Sequence, residues 1–236
     1  AGLAVGVLLL GLSGAPAWAW AAFAGWAVLV TPPVYFLQGY VRTVDGRPFE
    51  RFLLPNGLTW FRLVLAPLAA WPLLLDNALP QAVRVAALVA LPLFDFLDGQ
   101  IARRCHLESR LGRMLDPTAD LALMGWLSTG LYLDGTLPWL AYAIIMVRYP
   151  GTVLNGLLVV IFFGPYEVVS TRLGKVAGAT AFVVLSLLAV EDVMQLRLVS
   201  PGVRAGLIYG LSGLLAVNFL YLFWRALALR PRRGSA

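Results

Sequence analysis

Four aspartates stand at regular spacing between positions 95 and 120 of the 236-residue chain: Asp95 and Asp98, then Asp116 and Asp120. At about 100° per residue, separations of three and four residues keep each pair within roughly 40–60° on one helix face. Gly99 and Ala102 fall on the face of the first pair. Gly112 lies one turn before Asp116, on the ridge that Asp120 continues. Small residues on these faces leave room for a ligand against the backbone. Bare carboxylates gathered together repel one another, so either some carry protons or cations neutralise them. Hard carboxylate oxygens suit Mg²⁺, Mn²⁺ or Ca²⁺. With one or two such ions bound, the set makes a clamp for a phosphate or pyrophosphate. Two ions can stabilise both the attacking and the leaving oxygen of a displacement.

The elements that must position these acids come from a very apolar chain. Hydrophobic residues make up 60% and charged residues 13%, and the mean hydropathy is +0.81; a soluble domain carries about 25% charged residues. Only helices and closed barrels satisfy the backbone within lipid. The apolar runs are continuous and rich in Leu, Ala and Val, without period-2 alternation, so helices are expected. The chain reads as an all-α, polytopic membrane protein with a six-transmembrane-helix core and one or two amino-terminal membrane helices. Residues 1–40 form an apolar membrane hairpin, with arms at 2–13 and 17–40 broken by Ser13-Gly14-Ala15-Pro16. The opening stretch ends like a signal peptide but lacks a charged leader, so it reads as the carboxyl half of a membrane helix. Residues 41–55 are a polar interfacial linker, 56–228 the core, and 229–236 a basic tail. Core spans are expected at about 56–75, 80–103, 109–133, 136–163, 173–192 and 203–228, each about long enough to cross at 1.5 Å per residue.

Charge gives an orientation. Arg42, Arg47 and Arg51, then Arg103, Arg104, Arg110 and Arg113, then Arg172 and Lys175, and finally Arg225, Arg230, Arg232 and Arg233 fall on one side; Arg84, Arg197 and Arg204 fall on the other. The positive-inside bias puts the linker, the aspartate segment and the tail in the cytoplasm. The net charge of +6 fits topology and lipid headgroups better than nucleic acid, for which no basic aromatic surface is visible. Cys105 and His106 are the only cysteine and histidine. They permit no intrachain disulfide and fall short of the three or four ligands zinc needs, so they read as loop residues.

The pattern D-x-x-D-G-x-x-A-R-x(8)-G-x-x-x-D-x-x-x-D is filled here by Asp95, Asp98, Gly99, Ala102, Arg103, Gly112, Asp116 and Asp120. It resembles, at every fixed position, the signature of the CDP-alcohol phosphotransferases (CDP-alcohol phosphatidyltransferases). The signature covers 26 residues, and the six-helix pattern extends the likeness over the core. The resemblance implies a membrane enzyme of the phospholipid-synthase branch. Such an enzyme displaces CMP from CDP-diacylglycerol by an alcohol, using Mg²⁺ or Mn²⁺, expected as two ions. It implies that Asp95, Asp98, Asp116 and Asp120 hold the metal and that Asp120 is the general base. On the donor side it places Asp98, Gly99, Ala102 and Gly112, with Gly99 and Ala102 against the cytidine and Arg103 supporting the site or touching phosphate. It further implies a homodimer among membrane lipids, with its active site at the cytoplasmic face of a bacterial inner membrane.

Outside the signature, "LPNGLTWFR" resembles a P-N-x-x-T-x-x-R stretch of family members that use glycerophosphate, in which Asn56 and Thr59 would face the nucleotide; capping by Asn56 is the plainer reading. Arg148, inside an apolar span, is a site candidate by default. With Ser170, Arg172 and Lys175 it would hold an anionic acceptor. The glycerophosphate branch typically has Arg-Glu where this chain has Arg148-Tyr149, and Gly-Lys-x-Lys-Thr where it has Gly174-Lys175-Val176-Ala177-Gly178. A phosphorylated polyol such as glycerol 3-phosphate fits the surviving cations best. A cardiolipin-type synthase using phosphatidylglycerol is the alternative, followed by inositol-phosphate, serine or choline/ethanolamine types. A cation transporter is the rival outside enzymes, but acids clustered at helix ends and the lack of an internal repeat speak against it.

Overall fold

The computed structural model describes residues 17–37, 54–74, 80–86, 88–89, 110–149 and 171–228. Every regular element among them is helical. In chain order they are α1 (Ala17–Leu37), α2 (Leu54–Leu65), a 3₁₀ turn (Ala66–Ala69), α3 (Trp71–Leu74), α4 (Arg110–Leu133), α5 (Trp139–Arg148), α6 (Arg172–Val193) and α7 (Pro201–Ala228). Residues 81–86 and 88–89 are also helical. The expected 2–13 arm, most of the linker, residues 90–109 and 150–170, and the basic tail lie outside the described residues.

α4 is the hub. It packs on α2 with its 3₁₀ extension, on α5 and on α6, while α7 packs on α5 and α6. Leu123, Leu127 and Leu131 recur every four residues along its buried face, joined by Met124. α6 answers with Ala177, Ala181, Leu185 and Leu188, and α7 with Ile208, Leu211 and Leu215. The two fully buried alanines let the helix backbones approach closely, as small residues do at helix contacts in lipid. Ser128 and Ser212 sit in this apolar layer with their hydroxyls donating to the Gly125 and Ile208 carbonyls, so neither is left unsatisfied.

Proline explains where the helices depart from the expected spans. The stretch 56–75 is not one helix but α2, the 3₁₀ turn and α3. Pro67 has no N–H for the Leu63 carbonyl. That carbonyl instead accepts from the indole Nε1 of Trp26 on α1, at 2.8 Å. Trp26 also meets Trp126 of α4 edge-on, with ring centroids 5.8 Å apart. The amino-terminal helix is thereby fastened to the core at the spot proline opens. α5 is described over Trp139–Arg148, and residues 150–163 of the expected span lie outside the described residues.

At the far end of α4, Gly135 (φ 87°) makes the tight turn into Thr136. There Arg204 Nη2 donates to Thr136 Oγ1 at 3.0 Å and lies 3.8 Å from Asp192 Oδ1. Thr136 donates to Asp192 at 3.2 Å. These contacts tie the α4–α5 turn, α6 and α7 together.

α6 and α7 are each long and apolar enough to cross a membrane. Their outer faces are greasy: Phe182, Val183, Leu220, Phe223 and Trp224 are exposed, Trp224 by 73%. Such faces suit lipid rather than water.

One close approach is directly testable. A Cβ at Gly130 of α4 would stand 2.9 Å from Ala70 Cα and 2.9 Å from Leu73 Cδ1. Gly130→Ala therefore pushes α4 off the α2–α3 junction and is expected to cost about 1–3 kcal/mol. Thermal unfolding in detergent checks this; an unchanged midpoint would contradict the contact.

Candidate active site

Asn56, Thr59 and Arg62 follow one another at intervals of three along α2, so they form one stripe. Thr59 and Arg62 are buried, Arg62 completely. For Asn56, in the first turn, only the backbone is described. Arg62 Nη2 lies 3.2 Å from Asp120 Oδ1 of α4, whose side chain is 57% exposed. The pair thus has a dry cationic end and a wet anionic end. A buried guanidinium is tolerated when paired, and the pairing fixes where the Asp120 carboxylate stands. Gly112 and Asp116, described by their backbone, lie two turns and one turn before Asp120 on the same face of α4.

The second cluster centres on Arg148, the last residue of α5 and only 8% exposed. Its Nε donates to Asn218 Oδ1 of α7 at 2.7 Å. Asn218 is fully buried. The Arg148 guanidinium carbon lies 5.6 Å from the Tyr149 ring centroid. Asp120 precedes the Asp134 turn by 14 residues on α4, and Asn218 follows Arg204 by 14 on α7. Both therefore stand ~21 Å of helix from the Arg204 tie, at one level.

Thr171 caps α6, its Oγ1 accepting from Gly174 N at 3.0 Å. A Cβ at Gly174 would meet Thr171 Oγ1 at 3.0 Å, Asn218 Nδ2 at 3.8 Å and Arg148 Nη2 at 4.0 Å. The glycine thus keeps a clearing between the helix start, the amide and the guanidinium. Arg172 and Lys175 are exposed on the first turn of α6. Cations there oppose the helix dipole. Together with the amide N–H groups of that turn they favour an anion.

Asp95, Asp98, Gly99, Ala102, Arg103 and Ser170 lie outside the described residues. Among the described residues no group of three or more His, Cys, Asp or Glu side chains could hold a metal. An apolar cavity of about 230 Å³, lined by Ala69, Leu88, Leu123, Leu127 and Phe182 among others, contains no carboxylate and is not the reacting centre. Two residues escaped the sequence reading. The Arg62–Asp120 pairing was not visible, although Arg62 closes the P-N-x-x-T-x-x-R stretch. Asn218 was missed, although an amide inside "AVNFLYLF" is a polar group in an otherwise apolar helix.

A model of the CDP-alcohol phosphatidyltransferase family matches residues 52–222, well over half of the chain. The chain belongs to the CDP-alcohol phosphatidyltransferase family. Among similar curated proteins is the CDP-diacylglycerol–glycerol-3-phosphate 3-phosphatidyltransferase of Aquifex aeolicus, 43% identical over 67 residues, 28% of this chain and 36% of that one. A probable phosphatidylglycerophosphate synthase of Mycobacterium tuberculosis is 33% identical over 110 residues, 45% of this chain and 53% of that one. A cardiolipin synthase (CMP-forming)/mitochondrial hydrolase fusion protein of Schizosaccharomyces pombe is 35% identical over 118 residues, 48% of this chain and 19% of that one. The chain spans well under two thirds of the length of each of these relatives. The matched region contains both clusters, Arg62–Asp120 and Arg148–Asn218.

Proposed function

We propose that this CDP-alcohol phosphatidyltransferase moves a phosphatidyl group from CDP-diacylglycerol to glycerol 3-phosphate and releases CMP. The observation that carries the acceptor is the buried Arg148, held by Asn218 at 2.7 Å beside a helix start bearing Arg172 and Lys175. A dianionic phosphate answers such a site, and an uncharged or cationic alcohol does not. The Aquifex relative is named for the same acceptor.

In this reading the acceptor hydroxyl oxygen bonds to the phosphorus that carries the diacylglycerol. The bond from that phosphorus to the CMP oxygen breaks, and CMP leaves with the bonding pair. The hydroxyl proton passes to the Asp120 carboxylate, which Arg62 keeps in place. Asp95, Asp98 and Asp116, with Asp120, would hold divalent metal. The stacking of Asp116 and Asp120 on one face of α4, with Asp120 half exposed, fits a hard cation. Mg²⁺ or Mn²⁺, when bound, neutralises the pyrophosphate charge and eases departure of CMP. Asn56, Thr59, Gly99, Ala102, Arg103 and Gly112 would face the donor, and Ser170 would join the acceptor side. The fuller arrangement we propose is six core spans within 56–228, the site at the cytoplasmic face, and a homodimer.

The similarity to a cardiolipin synthase fusion protein, and the loss of the second lysine after Gly174-Lys175, keep phosphatidylglycerol as the second acceptor reading. Purified enzyme with Mg²⁺ or Mn²⁺, CDP-diacylglycerol and glycerol 3-phosphate is expected to release CMP and form phosphatidylglycerophosphate, detected by mass spectrometry. Release of CMP only with phosphatidylglycerol would reverse the two readings. Arg148→Ala is expected to raise the acceptor KM about 10- to 100-fold with the donor KM unchanged. Equal effects on both constants would remove the acceptor role from Arg148.

A further inference from the structure

Two buried polar atoms beside Arg148 lack a hydrogen-bond partner among the described residues: Asn218 Nδ2 and Tyr149 Oη. Asn218 is fully buried and Tyr149 is 4% exposed. An amide and a phenol closed off from water without partners are costly. Their positions are not scattered. Asn218 uses its oxygen on Arg148 Nε at 2.7 Å. Its nitrogen is therefore turned the other way, into the clearing at Gly174, where a Cβ would come within 3.8 Å of it. The Tyr149 ring lies beside the same guanidinium. The clearing also borders the Thr171-capped start of α6. A set of donors without acceptors, around a guanidinium and at a helix start, calls for an anion with several acceptor oxygens.

We propose that Asn218 and Tyr149 are anion-recognition residues of the acceptor site. In this assignment Asn218 acts twice: its Oδ1 fixes the Arg148 fork, and its Nδ2 donates to an oxygen of the acceptor's phosphate. Tyr149 Oη donates to the same group. The assignment rests on the acceptor reading above and deepens it. The ligand chemistry is a phosphate oxyanion, which a soluble phosphate monoester or a lipid phosphodiester could present.

Asn218→Asp and Tyr149→Phe separate these functions with little change of shape. Asn218→Asp keeps the acceptor for Arg148 Nε but replaces the Nδ2 donor by an anionic oxygen. Tyr149→Phe deletes only the hydroxyl. CMP release is measured for wild type and both variants with glycerol 3-phosphate, with phosphatidylglycerol in mixed micelles, and with uncharged glycerol. Binding of glycerol 3-phosphate is measured in parallel by calorimetry. For the anionic acceptor that wild type uses, KM is expected to rise at least about 10-fold in Asn218→Asp and several-fold in Tyr149→Phe. The donor KM is expected to hold. The anionic arm that responds identifies the phosphate's source. Were wild type to use an anionic acceptor and both variants to match it, the assignment would fall while the acceptor reading stood. Equal rises in donor and acceptor KM would reduce both residues to structural roles. No preference of wild type for an anionic acceptor over glycerol would overturn both readings.

Discussion

Asp120→Asn is expected to lower kcat by about 10²–10⁴-fold, the range a positioned general base contributes, while CMP and the CDP-linked donor still bind. The asparagine keeps the shape and can still accept from Arg62 through its amide oxygen. It cannot take the acceptor's proton. Asp120 is half exposed, but its cationic partner is completely buried, so the substitution removes the counter-charge of a buried guanidinium and is expected to lower the unfolding midpoint as well. Single-turnover kinetics with radiolabelled donor would read the chemical step directly. Persistence of wild-type turnover would move the base elsewhere and leave Asp120 a metal ligand alone.

The second large effect belongs to Arg62. Methionine fills much of the same volume without the charge. Arg62→Met is expected to lower kcat by about 10²-fold or more, because the carboxylate it aims is free to swing; a displacement of about 1 Å is enough for such a loss. Removing one member of a fully buried pair would cost about 3–5 kcal/mol. Here Asp120 turns into water instead, so the stability change is expected to be near that of a surface pair, about 1 kcal/mol or less. Arg62→Lys restores the charge but not the planar fork and is expected to recover activity in part. A large kcat loss at small stability loss marks a positioning residue. If Arg62→Met instead lowers the unfolding midpoint steeply and leaves kcat alone, Arg62 is only a structural cation.

The placing of Asp116 and Asp120 on one helix was legible because helical periodicity is local: a four-residue spacing puts two positions on one face whatever the tertiary structure does. The same holds for the stripe Asn56, Thr59, Arg62. The expected starts and ends of α4, α6 and α7 lie within two residues of those observed, since long apolar runs and the turns bounding them need no partner to be recognised. Legibility failed where a residue's meaning comes from another far along the chain. Pro67 announced a break, but nothing nearby said that Trp26, 37 residues before Leu63, would occupy the Leu63 carbonyl that the proline leaves open. Arg148 was conspicuous as a cation in an apolar span, whereas its acceptor lies 70 residues later and looks like any asparagine. Asp95 and Asp98 lie outside the described residues.

The bond between Arg148 and Asn218 also sets an order of events. A ribosome adding about 5–20 residues per second needs roughly 4–14 s to cover the 70 residues between them. Throughout that interval Arg148 is made but its amide is not. Until α7 arrives, Arg148 lacks the acceptor that Asn218 supplies. The Arg62–Asp120 pair needs no such delay, because both residues precede Arg148 in the chain. The Arg62–Asp120 pair is therefore complete in the chain before the Arg148–Asn218 pair. A nascent chain halted before residue 218 would contain the Arg62–Asp120 pair and lack the amide that holds Arg148.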